Sequence, residues 1–166
     1  SYEGLFAADG LLADLDGDGQ PDVALGRLPA LATNDLAAMV AKIKAYEQDF
    51  GTAWQNQWVL AADTNDAAAG NFAAANSNLA ALAGTKYSVA KIELDAAAIA
   101  AARAALTNWF KAGASLIHYT GHGGVNNWSG KQLLKAADVN VMTNARKPVT
   151  VALSCLVGRY EAPGVD

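Results

Sequence analysis

Leu116-Ile-His-Tyr-Thr-Gly-His-Gly-Gly124 is the stretch that decides the fold. Leu116 to Tyr119 has strand character, and it runs straight into a turn in which three glycines surround His122. The same design recurs on either side of it. Trp58-Val-Leu-Ala-Ala62 is a buried strand ending on Asp63, and Val149-Thr-Val-Ala-Leu153 leads into Ser154-Cys155. Tyr87 to Ile92 alternates as a further strand, and Val23-Ala-Leu-Gly-Arg27 is a short apolar run of the same kind.

Between these runs lie helical patterns. Asn34 is a candidate N-cap for a helix reaching about Phe50, with Leu36, Met39, Val40, Ile43 and Tyr46 on one apolar stripe. A second helix is expected from about Asp66 to Leu82, stopped by Gly84. Asp95 is expected to cap a third, with Ile99, Leu106 and Phe110 on its buried side and Gly113 at its end. Leu133 and Leu134 are expected on a shorter helix. Strands separated by helices imply crossover connections. The fold class is therefore α/β, a mostly parallel sheet with helices on both faces. Ligands of such sheets bind beyond the carboxyl ends of the strands, which singles out Asp63, the Gly121–Gly124 turn and Cys155.

Composition narrows the function. The 166 residues suit one domain, or an excised piece of a larger one, and nothing at Ser1 resembles a signal peptide. Ala supplies 38 of them, which favours helix. Hydrophobic residues make up 52% and charged ones 17%, too apolar for a disordered chain. With 12 basic against 16 acidic residues and no basic run, no nucleic-acid partner is expected. No apolar stretch is long enough for a membrane span. No phosphate-cradling glycine loop opens a helix after the first strand, which disfavours a nucleotide-binding domain. One cysteine makes no internal disulfide, so Cys155 is either buried filler or chemistry.

Histidine is the side chain best suited to proton transfer near neutral pH, and a neighbouring imidazole turns a thiol into a nucleophile. Adjacent parallel strands would bring His122 and Cys155 side by side. The stretch Leu116–Gly124 with Trp128, then Val149–Cys155 and Gly158, resembles the gingipain family of cysteine peptidases, within the caspase-like group. The 33 residues from His122 to Cys155 are similar to that family's spacing, and Gly26-Arg27-Leu28-Pro29 and Lys42–Glu47 resemble its members too. The resemblance implies a caspase-like three-layer sandwich that continues beyond Asp166, because the Cys-bearing strand is otherwise left with an open edge. It implies a partial catalytic domain over 1–166, with 1–30 as an entry segment and 31–166 as the core.

It also implies roles. Cys155 attacks a peptide carbonyl, His122 carries the proton, and the N–H groups of Gly123 and Cys155 hold the oxyanion. An acidic residue orients the imidazole: Asp63 is the best-placed match, Asp66 its rival, with helix capping the alternative role for Asp63. Trp128 is a candidate wall of the substrate pocket, or else core. His118 and His122 are too far apart along a strand to form a metal pair, so no zinc is expected.

Asp14-Leu-Asp16-Gly-Asp18-Gly-Gln20-Pro-Asp22 places carboxylates at alternate positions around a glycine, the pattern of a calcium loop. Gln20 would contribute its carbonyl. Leu25 stands where the usual bidentate Glu would be, so affinity should be modest. A structural calcium remote from Cys155 is the expectation. Calcium suits extracellular fluid, so the protein is expected to be secreted or on the cell surface, as part of a larger exported polypeptide, acting on protein or peptide substrates. The other readings are a secretion-linked peptidase or transpeptidase, and a non-catalytic calcium-stabilised surface domain.

Overall fold

A computed structural model describes residues 9–49, 51–140 and 142–159. The chain divides into two compact units, residues 1–44 with 159–166, and residues 45–158.

In the first unit a short helix, α1 (Asp9–Ala13), leads into the Asp-rich loop. Arg27 pairs with Asp9 through its guanidinium. The expected strand at Val23–Arg27 does not form; those residues have no regular structure. Helix α2 (Thr33–Gln48) crosses the boundary between the units. It begins two residues earlier than an Asn34 cap implies, because the Asp35 carboxylate accepts from Ala32 N at 2.9 Å and so closes the first turn. Asn34 therefore lies inside the helix rather than capping it. Along the apolar stripe Leu36, Val40 and Ile43 are all more than 40% exposed, while Met39 and Tyr46 are half-buried.

In the second unit the strands β1 (Gln57–Ala62), β2 (Ser88–Glu93), β3 (Leu116–Thr120) and β7 (Val149–Leu153) form one sheet in the order β2-β1-β3-β7. All three pairings are parallel. The register sets Glu93, Ala62, Thr120 and Leu153 level, so the chain leaves all four strands at one edge. A small antiparallel sheet of β4 (Gly123–Gly124), β5 (Asn127–Trp128) and β6 (Leu134–Lys135) follows β3. Leu134 is thus a strand residue and Leu133 precedes it; the short helix α5 (Ala136–Val139) comes only afterwards.

The period of two in the strands sorts the core. Val59, Ala61, Ile92, Ile117 and Tyr119 face helix α4 (Ile99–Ala112), packing with Ala102, Leu106 and Phe110. Leu60, Ala62, His118 and Thr120 share the opposite face in register, where Thr120 Oγ1 donates to Asn76 of helix α3 (Phe72–Ala83) at 3.0 Å. Helices therefore cover both faces. β7 is the exception: an edge strand with Val149, Val151 and Leu153 exposed.

Two helix starts differ from expectation for one reason, the competition of Asp side chains with helical backbone. Asp66 closes a tight turn, its Oδ1 accepting from Ala68 N and Ala69 N and its main chain bridging Gly70. Helix α3 consequently waits for Asn71, whose Oδ1 accepts from Ala74 N at 2.8 Å. Asp95 accepts from Asn65 N instead of capping α4, which begins after Ala98.

Candidate active site

Asp63, Gly121 and Ser154 each follow the last residue of a strand at the common edge, on β1, β3 and β7. His122 follows Gly121, and every polar atom of its main chain is engaged. Its N–H donates to Asp63 Oδ2 at 3.2 Å. Its carbonyl accepts from Ser129 N at 2.8 Å and from the Tyr119 hydroxyl at 2.6 Å. Its half-exposed imidazole has Nε2 3.1 Å from Asp66 Oδ2 and packs edge-on to the Phe72 ring, centroids 5.4 Å apart.

The two candidate carboxylates therefore differ in what they meet. Asp63, the expected partner of the ring, is 4% exposed and reaches the His122 backbone instead; the ring meets Asp66. The Asp66 carboxyl is held below the usual carboxylate range, chiefly by the Ala68 and Ala69 N–H groups, with His122 adding to the effect. It is an ionised acceptor at neutral pH.

Cys155 is exposed and free of any disulfide. Val157 N donates to Cys155 O at 2.8 Å, and Leu156 between them has φ +61°, a conformation that side chains resist. The chain thus turns sharply just after the thiol. Gly123 shows how close this turn lies to the histidine. A Cβ there would stand 2.2 Å from Ser154 Oγ and 2.5 Å from Cys155 O. Gly121 is crowded likewise, its Cβ position lying 2.3 Å from Asp63 Cβ. Both glycines flanking His122 are required by close approach.

Tyr119, Ser129, Phe72 and Ser154 were not legible as site residues in the sequence. Only the alternation of β3 could have pointed to Tyr119. Trp128 is 6% exposed and stacked on Tyr119, centroids 4.8 Å apart, so most of its ring belongs to the core. It also borders a cavity of about 150 Å³, together with Gly124, Leu134 and Val157. His118 is buried, its Nε2 2.8 Å from Thr120 Oγ1, and burial pushes its pKa down.

In the first unit, ligand-capable oxygens of Asp14, Asp16 and Asp18 lie within 4.8 Å of one another. Loop amides order them: Gly17 N and Gly19 N donate to Asp14, and Gln20 N to Asp18. Asp22 accepts from Leu15 N at 2.7 Å.

The parallel sheet delivers a histidine turn and a cysteine turn to neighbouring positions at its carboxyl edge, in a domain whose family is one of cysteine peptidases. Peptidase family C25, the gingipain family, matches residues 1–166, and the chain belongs to it. Two solved structures share the fold. The Arg-specific cysteine proteinase gingipain R (RgpB) is 22% identical at a TM-score of 0.77, over 93% of this chain and 37% of that one. The complex of the Porphyromonas gingivalis RgpB pro- and mature domains is 20% identical at a TM-score of 0.78, over 93% and 38%. The chain thus spans little more than a third of the length of those proteins. No curated protein sequence matches it. No described helix is long and apolar enough to cross a membrane.

Proposed function

We propose that this domain is a cysteine endopeptidase in which Cys155 and His122 act as a catalytic dyad. One observation carries the reading: the Gly123 backbone lies against Ser154 and Cys155, so the histidine turn and the thiol turn meet at one edge. Cys155 Sγ attacks the scissile carbonyl carbon, forming the C–S bond as its proton passes to His122. The imidazolium returns that proton to the amine nitrogen as the C–N bond breaks, and water then hydrolyses the thioester. Asp66 at Nε2 leaves Nδ1 as the nitrogen that exchanges protons with the thiol.

The oxyanion site is formed by the N–H groups of Gly123 and Cys155. The trans peptide between His122 and Gly123 has its carbonyl bound to Ser129 and Tyr119, so the Gly123 N–H points the opposite way, free of that hairpin. Cys155→Ala and His122→Ala should each abolish peptide hydrolysis with the fold intact, since both residues lie on turns outside the core. Iodoacetamide should alkylate Cys155 faster in the wild type than in His122→Ala. Full hydrolysis by Cys155→Ala would sink the reading.

We further propose that the Asp14–Asp22 loop holds a structural calcium ion. The converging oxygens of Asp14, Asp16 and Asp18 suit a hard cation, and the loop pattern assigns Gln20 and Asp22 to its remaining donor positions. Calcium should raise the melting temperature by mass action, and the double variant Asp16→Ala/Asp18→Ala should lose that response. No shift across millimolar calcium would refute it. A calcium loop and membership in this family support a secreted or cell-surface setting, as part of a larger exported polypeptide acting on protein or peptide substrates.

A further inference from the structure

We propose that Ser129 and Tyr119, together with the buried Asp63 carboxylate, are positioning residues that clamp the main chain of His122 at both ends and so fix its imidazole for proton exchange with Cys155. The inference rests on the dyad proposed above and deepens it.

His122 stands between two glycines, the least restrained backbone there is, yet its ring has to stay within hydrogen-bond reach of a thiol on another strand. Something other than intrinsic stiffness must hold it. Asp63 supplies the hold on the amino side, its Oδ2 accepting the His122 N–H. The carbonyl side is held twice, by Ser129 N and by the Tyr119 hydroxyl. Two of these groups, Ser129 and Asp63, are also joined directly. Ser129 Oγ donates to Asp63 Oδ1 at 2.7 Å, and the Tyr119 oxygen stands 3.2 Å from Asp63 Oδ2. Thr64 N donates to Asp63 Oδ1 at 2.8 Å, so both oxygens of the buried carboxylate are occupied.

The backbone of Ser129 shows what this arrangement demands. Its φ of +65° is uncommon for a residue with a side chain, and it is almost fully buried. In that conformation one residue presents its N–H to the His122 carbonyl and its hydroxyl to Asp63. Tyr119 has a single hydroxyl proton, which goes to the shorter contact, the His122 carbonyl. Burial first, and then the Asp63 charge, push the Tyr119 pKa well up, so the hydroxyl keeps its proton at neutral pH. Its ring is stacked on Trp128 at an interplanar angle of 7°, which fixes where that hydroxyl lies.

The test uses the intact protein and two substitutions that spare the packing. Tyr119→Phe keeps the stacked ring, and Ser129→Gly keeps a backbone at ease with positive φ. The first readout is the rate of Cys155 alkylation by iodoacetamide at neutral pH. The second is the ring nitrogen–proton spectrum of the two histidines, in which His118 is an internal reference. Each variant should slow alkylation about tenfold. The double variant should be little slower than the worse single one, because Tyr119→Phe removes a donor to the His122 carbonyl and Ser129→Gly removes the hydroxyl that anchors Asp63 beneath the same residue. The His122 ring signals should broaden or multiply while those of His118 hold.

Alkylation within twofold of wild type, with unchanged His122 signals, would overturn the clamp. If wild-type Cys155 reacts no faster than in His122→Ala, the dyad fails. The clamp is then judged on the His122 spectrum alone, standing if the ring loosens in the variants and falling if it does not. Should Tyr119→Phe not fold, Ser129→Gly decides by the same readouts.

Discussion

Gly123→Ala puts one methyl group where the histidine turn meets the cysteine turn. The added Cβ would lie 2.2 Å from Ser154 Oγ, 2.5 Å from Cys155 O and 2.8 Å from Val157 Cγ2. A Cβ does not approach another heavy atom closer than about 3 Å, so the two turns must separate by roughly 0.5 to 1 Å. Ser154 Oγ alone could rotate aside, but the Cys155 carbonyl belongs to the sharp Leu156 turn and moves only if the thiol's backbone moves with it. A displacement of about 1 Å at reacting groups costs on the order of a hundredfold in rate. Overpacking costs about 1–3 kcal/mol in stability. Peptide hydrolysis followed by kcat and KM, beside thermal unfolding of the same samples, separates the two effects. The expected result is kcat down about a hundredfold while the protein remains folded at assay temperature. A Gly123→Ala enzyme within threefold of wild-type kcat would refute the contact as the basis of the site.

Asp66→Asn keeps a hydrogen-bonding group at His122 Nε2 but removes the negative charge, and should lower kcat about tenfold with KM little changed; a steady-state comparison with wild type checks it. His118 has its folded pKa pushed below 6.5 by burial, so the unfolded chain binds the proton more readily. Stability should be complete above that value and fall as pH drops below it; His118→Gln should flatten that loss in melting curves taken from pH 7.5 to 5. Leu106 is wholly buried against the sheet, and Leu106→Ala should destabilise the second unit by about 2–5 kcal/mol in urea unfolding.

The four strands of the main sheet were legible in the local sequence, although their order and the small antiparallel sheet were not. The apolar runs at Trp58–Ala62, Leu116–Tyr119 and Val149–Leu153 are local signals, each bounded by turn residues, and each became a parallel strand within a residue of its expected limits. Because parallel strands end level, placing Asp63, His122 and Cys155 at one edge followed from those runs alone. Family membership was legible in the same motifs. Helix starts were not, since Asp66 and Asp95 can either cap a helix or close a turn, and the choice depends on which amides lie nearby.

Tertiary structure alone decided which carboxylate meets the imidazole. Asp63 and Asp66 are three residues apart, and nothing local distinguishes them. Asp63 sits under the turn, where the His122 N–H, the Ser129 hydroxyl and its neighbour's amide all donate to it, which leaves the ring to Asp66. Ser129 and Tyr119 entered the site for the same reason. Their partners lie across strand pairings, and the strength of a buried hydrogen bond depends on where the folded chain leaves a group without water.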